Sequence, residues 1–278
     1  MTSPTRHRYF WADLTSPDFT RLDAAATIAV LPVAAIEQHG PHLPLSVDTD
    51  LVNGVIAHCL PHLDGAPVLF LPTQTVGRSI EHVAFAGTLM LGAATLIQSW
   101  VDLGECIART GIRKLVLLNS HGGQVGLLDV VARDLRARLG MLVYSVNWFN
   151  LPLLDAHGAS VAERFSAHEH RFGVHAGEIE TSMMLALQPG QVDMAQAQDF
   201  HSTSEDRAQQ FSLLGDGRSA KLAWQMQDYN AHGAAGNAAA ATAEKGRALL
   251  GAAGRSLARV LVEIDQLPAD TLRHSTAF

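Results

Sequence analysis

TIAVLPVA, residues Thr27–Ala34, and IEQHGPHLPLSVDTD, residues Ile36–Asp50, together decide how this chain reads. The first run is continuously apolar, as expected of a strand covered on both faces of a parallel sheet. The second follows one alanine later and sets Glu37, His39 and Asp48 in an otherwise apolar, proline-bearing segment. Residues two apart in an extended chain point the same way, so Glu37 and His39 face one point in space. Carboxylate and imidazole donors without a thiolate suit Zn2+, Mn2+ or Fe2+. The two runs therefore predict a metal site at the end of a buried strand, and with it a hydrolase.

Further strands of the same Val/Leu/Ile-rich character are expected at Pro67–Leu71, Lys114–Leu118 and Met141–Asn147. Helical patterns at Thr49–Leu60, Ala93–Thr110 and Gln124–Leu139 alternate with them, the signature of an α/β sandwich with a mostly parallel sheet. Another helix is expected from Glu178 through TSMMLALQ to Pro189, and a last long one from about Asn237 to Ile264. Asp155–Gly173 and Ala195–Ala235 lack periodicity and read as long loops or excursions. The whole chain, residues 1–278, reads as one domain. Sites in such folds lie where strands end and loops begin.

Two more segments carry chemistry-bearing residues at such places. KLVLLNSHGGQ ends a strand and presents His121 in the following loop, where Gly122 and Gly123 permit close backbone approach. VHAGEIETSMMLAL sets His175 and Glu178 three apart, on one face if the helix has already begun. Glu178 and Glu180 would also suit a helix N-terminus for dipole reasons alone. Glu37, Asp48 and Glu178 bring three negative charges, which two divalent ions and a bridging hydroxide would neutralise; Asp48 is the candidate bridge. GRSIEHVAFAGT holds Glu81 and His82 in a glycine-flanked loop that could line a pocket. His168 and His170 read as exposed loop histidines, and His42, between two prolines, as a residue behind the site or a structural one.

Composition narrows the classes. Hydrophobic residues make up 47% of the 278 and charged residues 17%, enough apolar content for a sizeable core. A net charge of −7 without any basic stripe argues against nucleic acid as a partner. No apolar run reaches membrane-spanning length, so no membrane association is expected. MTSPTRHRYFWADL lacks the apolar core of a secretory signal, which leaves the cytoplasm as the expected location. Cys59 and Cys106 lie in apolar helical stretches and read as buried free thiols. Neither a phosphate-binding glycine loop, a dinucleotide fingerprint nor a GxSxG elbow occurs.

EQHGPHLPLSVDTD, EHVAFAGT, NSHGGQ, HAGEIETSMMLALQPGQVD and the late ATAEKG, in that order, resemble the creatininase-like amidohydrolases over about Ala26 to Gly251. The resemblance implies a three-layer α/β fold, two divalent metal ions (Zn, Mn or Fe), hydrolysis of a non-peptide or cyclic amide C–N bond, and a homohexamer. Carried over by position, Glu37, Asp48 and His121 would hold one metal, and His39, the shared Asp48 and Glu178 the other. Creatinine-hydrolysing members take their last carboxylate from two residues after the strand-end histidine. Gly123 stands there in this chain, so Glu178 is the expected replacement. They also carry a tryptophan where this chain has Arg171, whereas Trp148 approximates another of their pocket aromatics. Creatinine is therefore not the expected substrate.

The resemblance also implies roles. His175 would protonate the leaving nitrogen after attack by a metal-activated hydroxide. His82, Trp148 and Arg171 would contact a small amide or formamide substrate, with Arg171 favouring an anionic one. The alternatives are a peptidase-like enzyme maturing a redox cofactor, and a non-catalytic metal-binding member.

Overall fold

The computed structural model describes residues 8–268, 270–273 and 275–277. The chain alternates strands and helices: α1 (Ser16–Phe19), β1 (Ile28–Val33), α2 (Val47–Cys59), β2 (Val68–Phe70), α3 (Ala93–Arg109), β3 (Lys114–Asn119), α4 (Val125–Leu139) and β4 (Leu142–Asn147). It continues through α5 (Ala167–Phe172), α6 (Glu178–Leu187), β5 (Asp199–Phe200), α7 (Thr203–Gln210), α8 (Met226–Tyr229), β6 (Gly236–Asn237) and α9 (Ala243–Asp265). The strands β2-β1-β3-β4 form one sheet in that order, and every pairing within it is parallel. This is the expected α/β architecture, with helices on both faces.

Alternation along the strands builds two cores. Ile28 and Val30 of β1 and Val116 and Leu118 of β3 face a layer with residues of α2, α6 and α9. Ala29, Leu31 and Val33, with Leu115 and Leu117, face α3 and α4. Both faces of β1 and β3 are thus covered, which is why their sequences are unbroken apolar runs. Pro32 sits beyond the last β1–β2 pair, Val30↔Phe70, so its missing N–H interrupts no bond of that ladder. Edge strand β4 departs from the expectation of a buried strand: Tyr144 and Ser145 are exposed.

The apolar layer around α9 depends on close approach. A Cβ on Gly246 would strike the Ser182 backbone of α6, and one on Gly254 the His58 backbone of α2. Helix α4 stops at Gly140, which takes φ 65°. Helix α9 starts later than expected, because the Thr242 side chain accepts from Lys245 N and caps it there. The two segments read as loops contain α5 and, in the second, β5, α7 and α8. Cys59 is buried, but Cys106 is exposed, contrary to expectation: it lies on a face of α3 turned away from the core.

Candidate metal centre

The carboxyl ends of the parallel strands converge on one cavity of about 680 Å³. β1 delivers Glu37, β3 delivers His121 and β4 delivers Trp148, while the segment after β2 returns Glu81 and His82. Asp48 projects from the first turn of α2, and His175 precedes α6. Glu37, His39, Asp48, His82, His121 and His175 are all buried.

Hydrogen bonds fix the ring orientations. His39 Nδ1 lies 3.0 Å from the Glu37 carbonyl and donates to it, leaving Nε2 as the acceptor nitrogen, 4.0 Å from Asp48 Oδ1. His121 Nε2 donates to the Arg78 carbonyl at 2.9 Å, and Nδ1 lies 3.3 Å from Glu37 Oε1 and 3.6 Å from Asp48 Oδ2. Gln38 Nε2 donates to His82 Nδ1 at 2.7 Å and to the Gly233 carbonyl at 2.9 Å. His82 Nε2 therefore carries its proton and points at Glu37 Oε1, 3.3 Å away. His175 Nε2 donates to the Gln38 carbonyl at 2.7 Å. Its ring stacks between His39 and His82, with centroids 4.2 and 4.3 Å away.

Charge within the cluster is unbalanced. Burial tends to raise the Glu37 pKa, but His121, His82 and His175 outweigh it and hold the carboxyl below its ordinary range. Burial and the neighbouring Glu37 push Asp48 well above its own. Burial opposes the His121 imidazolium, yet Glu37, Asp48 and Glu81 prevail and push it up to about 10. Burial and His175 bring His82 down to about 3. Asp48 thus holds its proton more tightly than an ordinary carboxyl, as expected where a cation is due.

Among the described residues, six buried side-chain atoms lack a hydrogen-bond partner, and three of them belong to this cluster: Glu37 Oε2, His39 Nε2 and Asp48 Oδ2. Buried acceptors left without a partner are rare in a folded interior, and here they belong to residues whose ligand atoms lie within 4.8 Å of one another. Two further groups on the same scale are Glu37, His82 and His175, and His39, His175 and Glu180. These atoms fit divalent cations in donor type and charge.

Two expected members are elsewhere. The Glu178 carboxylate pairs with Lys245 of α9, and its N–H donates to Glu169 Oε1 at 2.7 Å. Glu180 replaces it in the cluster, because positions two apart on a helix lie on opposite sides. One Glu180 oxygen accepts from Ala176 N, where Ala176 takes φ 54°, an unusual conformation beside a site residue. Arg171 is exposed on α5, bonded to the Gly215 carbonyl at 3.1 Å and set over the Phe172 ring, outside the cavity lining.

Trp148 does line the cavity and donates to Ser120 Oγ at 3.0 Å. His82 lines it by its ring, since the protein engages both nitrogens. His42 lies behind the site, 2.9 Å from Thr181 Oγ1, and His168 pairs with Glu205 on the surface. His170, exposed as expected, reaches the cavity rim.

Four residues acquire their place through contacts distant in sequence. Gln38 orients His82 and His175; buried Glu169 accepts from Glu178 N and Asn237 N; Lys221 and Trp224 come from the long excursion to line the cavity.

The model of the creatininase family, described as creatinine amidohydrolase, matches residues 12–261. The mycofactocin precursor peptide peptidase of Mycobacterium tuberculosis (strain ATCC 25618 / H37Rv) is 32% identical over 187 residues, 65% of this chain and 66% of that protein. The chain thus spans just under two thirds of that relative's length. The creatinine amidohydrolase of Pseudomonas putida is 30% identical over 201 residues, 68% of this chain and 76% of that protein. A creatininase mutant of Zn–Zn type has the same fold, with a TM-score of 0.73 and 25% identity over 94% of this chain and all of that one. Fold, motif order and the match along the chain agree: it belongs to the creatininase family.

Proposed function

We propose that the protein hydrolyses an amide or formamide C–N bond with two divalent ions. Glu37, Asp48 and His121 would hold one ion, and His39, Asp48 and Glu180 the other. The observation that carries this reading is that the partnerless Glu37 Oε2, His39 Nε2 and Asp48 Oδ2 belong to one buried group of potential ligands, of which Glu37 and Asp48 line the cavity. Such a pair of ions supplies an acidified water and polarises the amide oxygen.

The chain's own residues do the rest. His82 holds Glu37 through Nε2–H, and Gln38 sets the rings of His82 and His175. With Nε2–H given to the Gln38 carbonyl, His175 keeps Nδ1 for moving a proton to the departing nitrogen, which leaves poorly without one. Trp148, Phe149 and Trp224 give the substrate apolar walls, and Lys221 offers the cationic contact that Arg171 does not.

A short peptide is the second reading. The cavity of about 680 Å³ exceeds the needs of a small cyclic amide, and the relative from Mycobacterium tuberculosis is named a peptide peptidase. Assembly as a hexamer in the cytoplasm belongs to the same proposal, with light scattering as the check on assembly. The function is tested by assaying metal-free and Zn- or Mn-reloaded protein on non-peptide amides, formamides and short peptides. Activity that disappears on chelation and returns with metal is expected; equal turnover without metal would contradict the reading.

A further inference from the structure

Gly123 and Glu81 occupy one place. A Cβ built on Gly123 would overlap the Glu81 carboxylate and crowd His121 Nε2. Glu81 reaches that spot from the short turn Ile80–His82, is buried, and pairs with His121 Nε2 at 3.4 Å. The same nitrogen donates to the Arg78 carbonyl, three residues earlier, at 2.9 Å. Both contacts lie on the side of the ring away from Nδ1, the atom facing Glu37 and Asp48.

The segment is held there by a separate set of bonds. Arg78 N donates to Gln124 Oε1 at 3.2 Å, and Gln124 Nε2 donates to Asn119 Oδ1 at 3.0 Å and to the Ala34 carbonyl at 3.3 Å. The ends of β1 and β3 therefore grip the turn that carries Glu81. Placement of this carboxylate is built into the fold.

We propose that Glu81 is a positioning residue for the metal centre: its carboxylate lies beside the His121 Nε2–H that the Arg78 carbonyl accepts, adding negative charge behind the ring that makes Nδ1 a stronger ligand, and glycine at 123 is what admits it. A carboxylate behind a ligating histidine orients the ring and raises its basicity, and its loss lowers metal affinity by about 10–100-fold. The inference rests on the metal-centre reading above.

The test titrates metal-free protein with Co2+, following the visible absorption spectrum, and compares wild type with Glu81→Gln, Gly123→Ala and the double variant. Thermal melting of each metal-free protein reports folding separately. Glu81→Gln is expected to weaken one Co2+ site by about 10–100-fold and shift its absorption band, while the metal-free protein still melts in one cooperative transition. Gly123→Ala, which displaces Glu81, should weaken the same site comparably, and the double variant should add little, because both changes remove one interaction. Affinity and spectrum of Glu81→Gln equal to wild type would overturn the proposal while leaving the metal centre standing. Fully additive losses would overturn it too. Wild type that binds no Co2+ would instead remove the reading beneath it.

Discussion

Glu178 and Glu180 stand two residues apart in the first turn of α6 and face different surroundings. Glu178 neutralises Lys245 across the α6–α9 contact, whereas Glu180 turns to His39 and His175. Glu178→Gln should therefore lower stability, by about 2 kcal/mol for a lost charged hydrogen bond, and leave metal content intact. Glu180→Gln should keep stability and weaken one ion by roughly tenfold or more. Urea unfolding and elemental analysis of both variants separate these outcomes; exchanged results would return Glu178 to the metal centre. His121 gives a pH dependence at the same scale. Its pKa in the fold, about 10, lies above the ordinary 6.5, so its contribution is complete below pH 6.5 and is lost as pH rises through 10. Asp48, also raised, acts in the same direction. The melting point of metal-free protein should fall between pH 7 and pH 10, and His121→Asn should flatten that slope. A wild-type melting point that rises over this range would contradict the charge account.

Helices and strands differ in how openly the sequence declares them. β1 and β3 are legible because burial on both faces leaves only apolar residues; β4, on the edge, alternates with solvent and its exposed Tyr144 hides among hydrophobic neighbours. The short helices α5 and α7 have no apolar stripe, yet Ser166 and Ser202 cap them, with Glu169 and Glu205 three residues on. That spacing was a readable start signal. The phase of α6, by contrast, is settled by Lys245, 67 residues away, which no local pattern reveals. Glu37, His39, Asp48 and His121 were legible because each sits just past a strand or within a motif; Gln38, Glu169 and Lys221 act through contacts distant in sequence. Packing of α9 offers an element-scale prediction. Gly254→Ala should destabilise by about 1–3 kcal/mol, since its Cβ meets the His58 backbone. Gly251→Ala, with only the flexible Arg255 side chain nearby, should stabilise by about 0.5–1 kcal/mol. Equal effects in urea unfolding would refute this packing account.

At the scale of the whole molecule, the parallel sheet gathers residues from distant parts of the chain on one side, and the excursion between β5 and β6 closes over them with Lys221 and Trp224. Arg171 lies outside this enclosure, so Arg171→Ala should leave turnover unchanged, while Lys221→Ala should raise KM for an anionic substrate about tenfold with little change in kcat. Steady-state kinetics on the first active substrate decide between them, and the opposite pattern would move the anion contact back to α5. Metal stoichiometry probes the cluster beneath that cavity without needing a substrate. Elemental analysis of protein purified without chelator or affinity tag should find about two divalent ions per chain, and the Asp48→Asn variant should lose both. No bound ion in wild type, even after incubation with Zn2+ and Mn2+, would contradict the account.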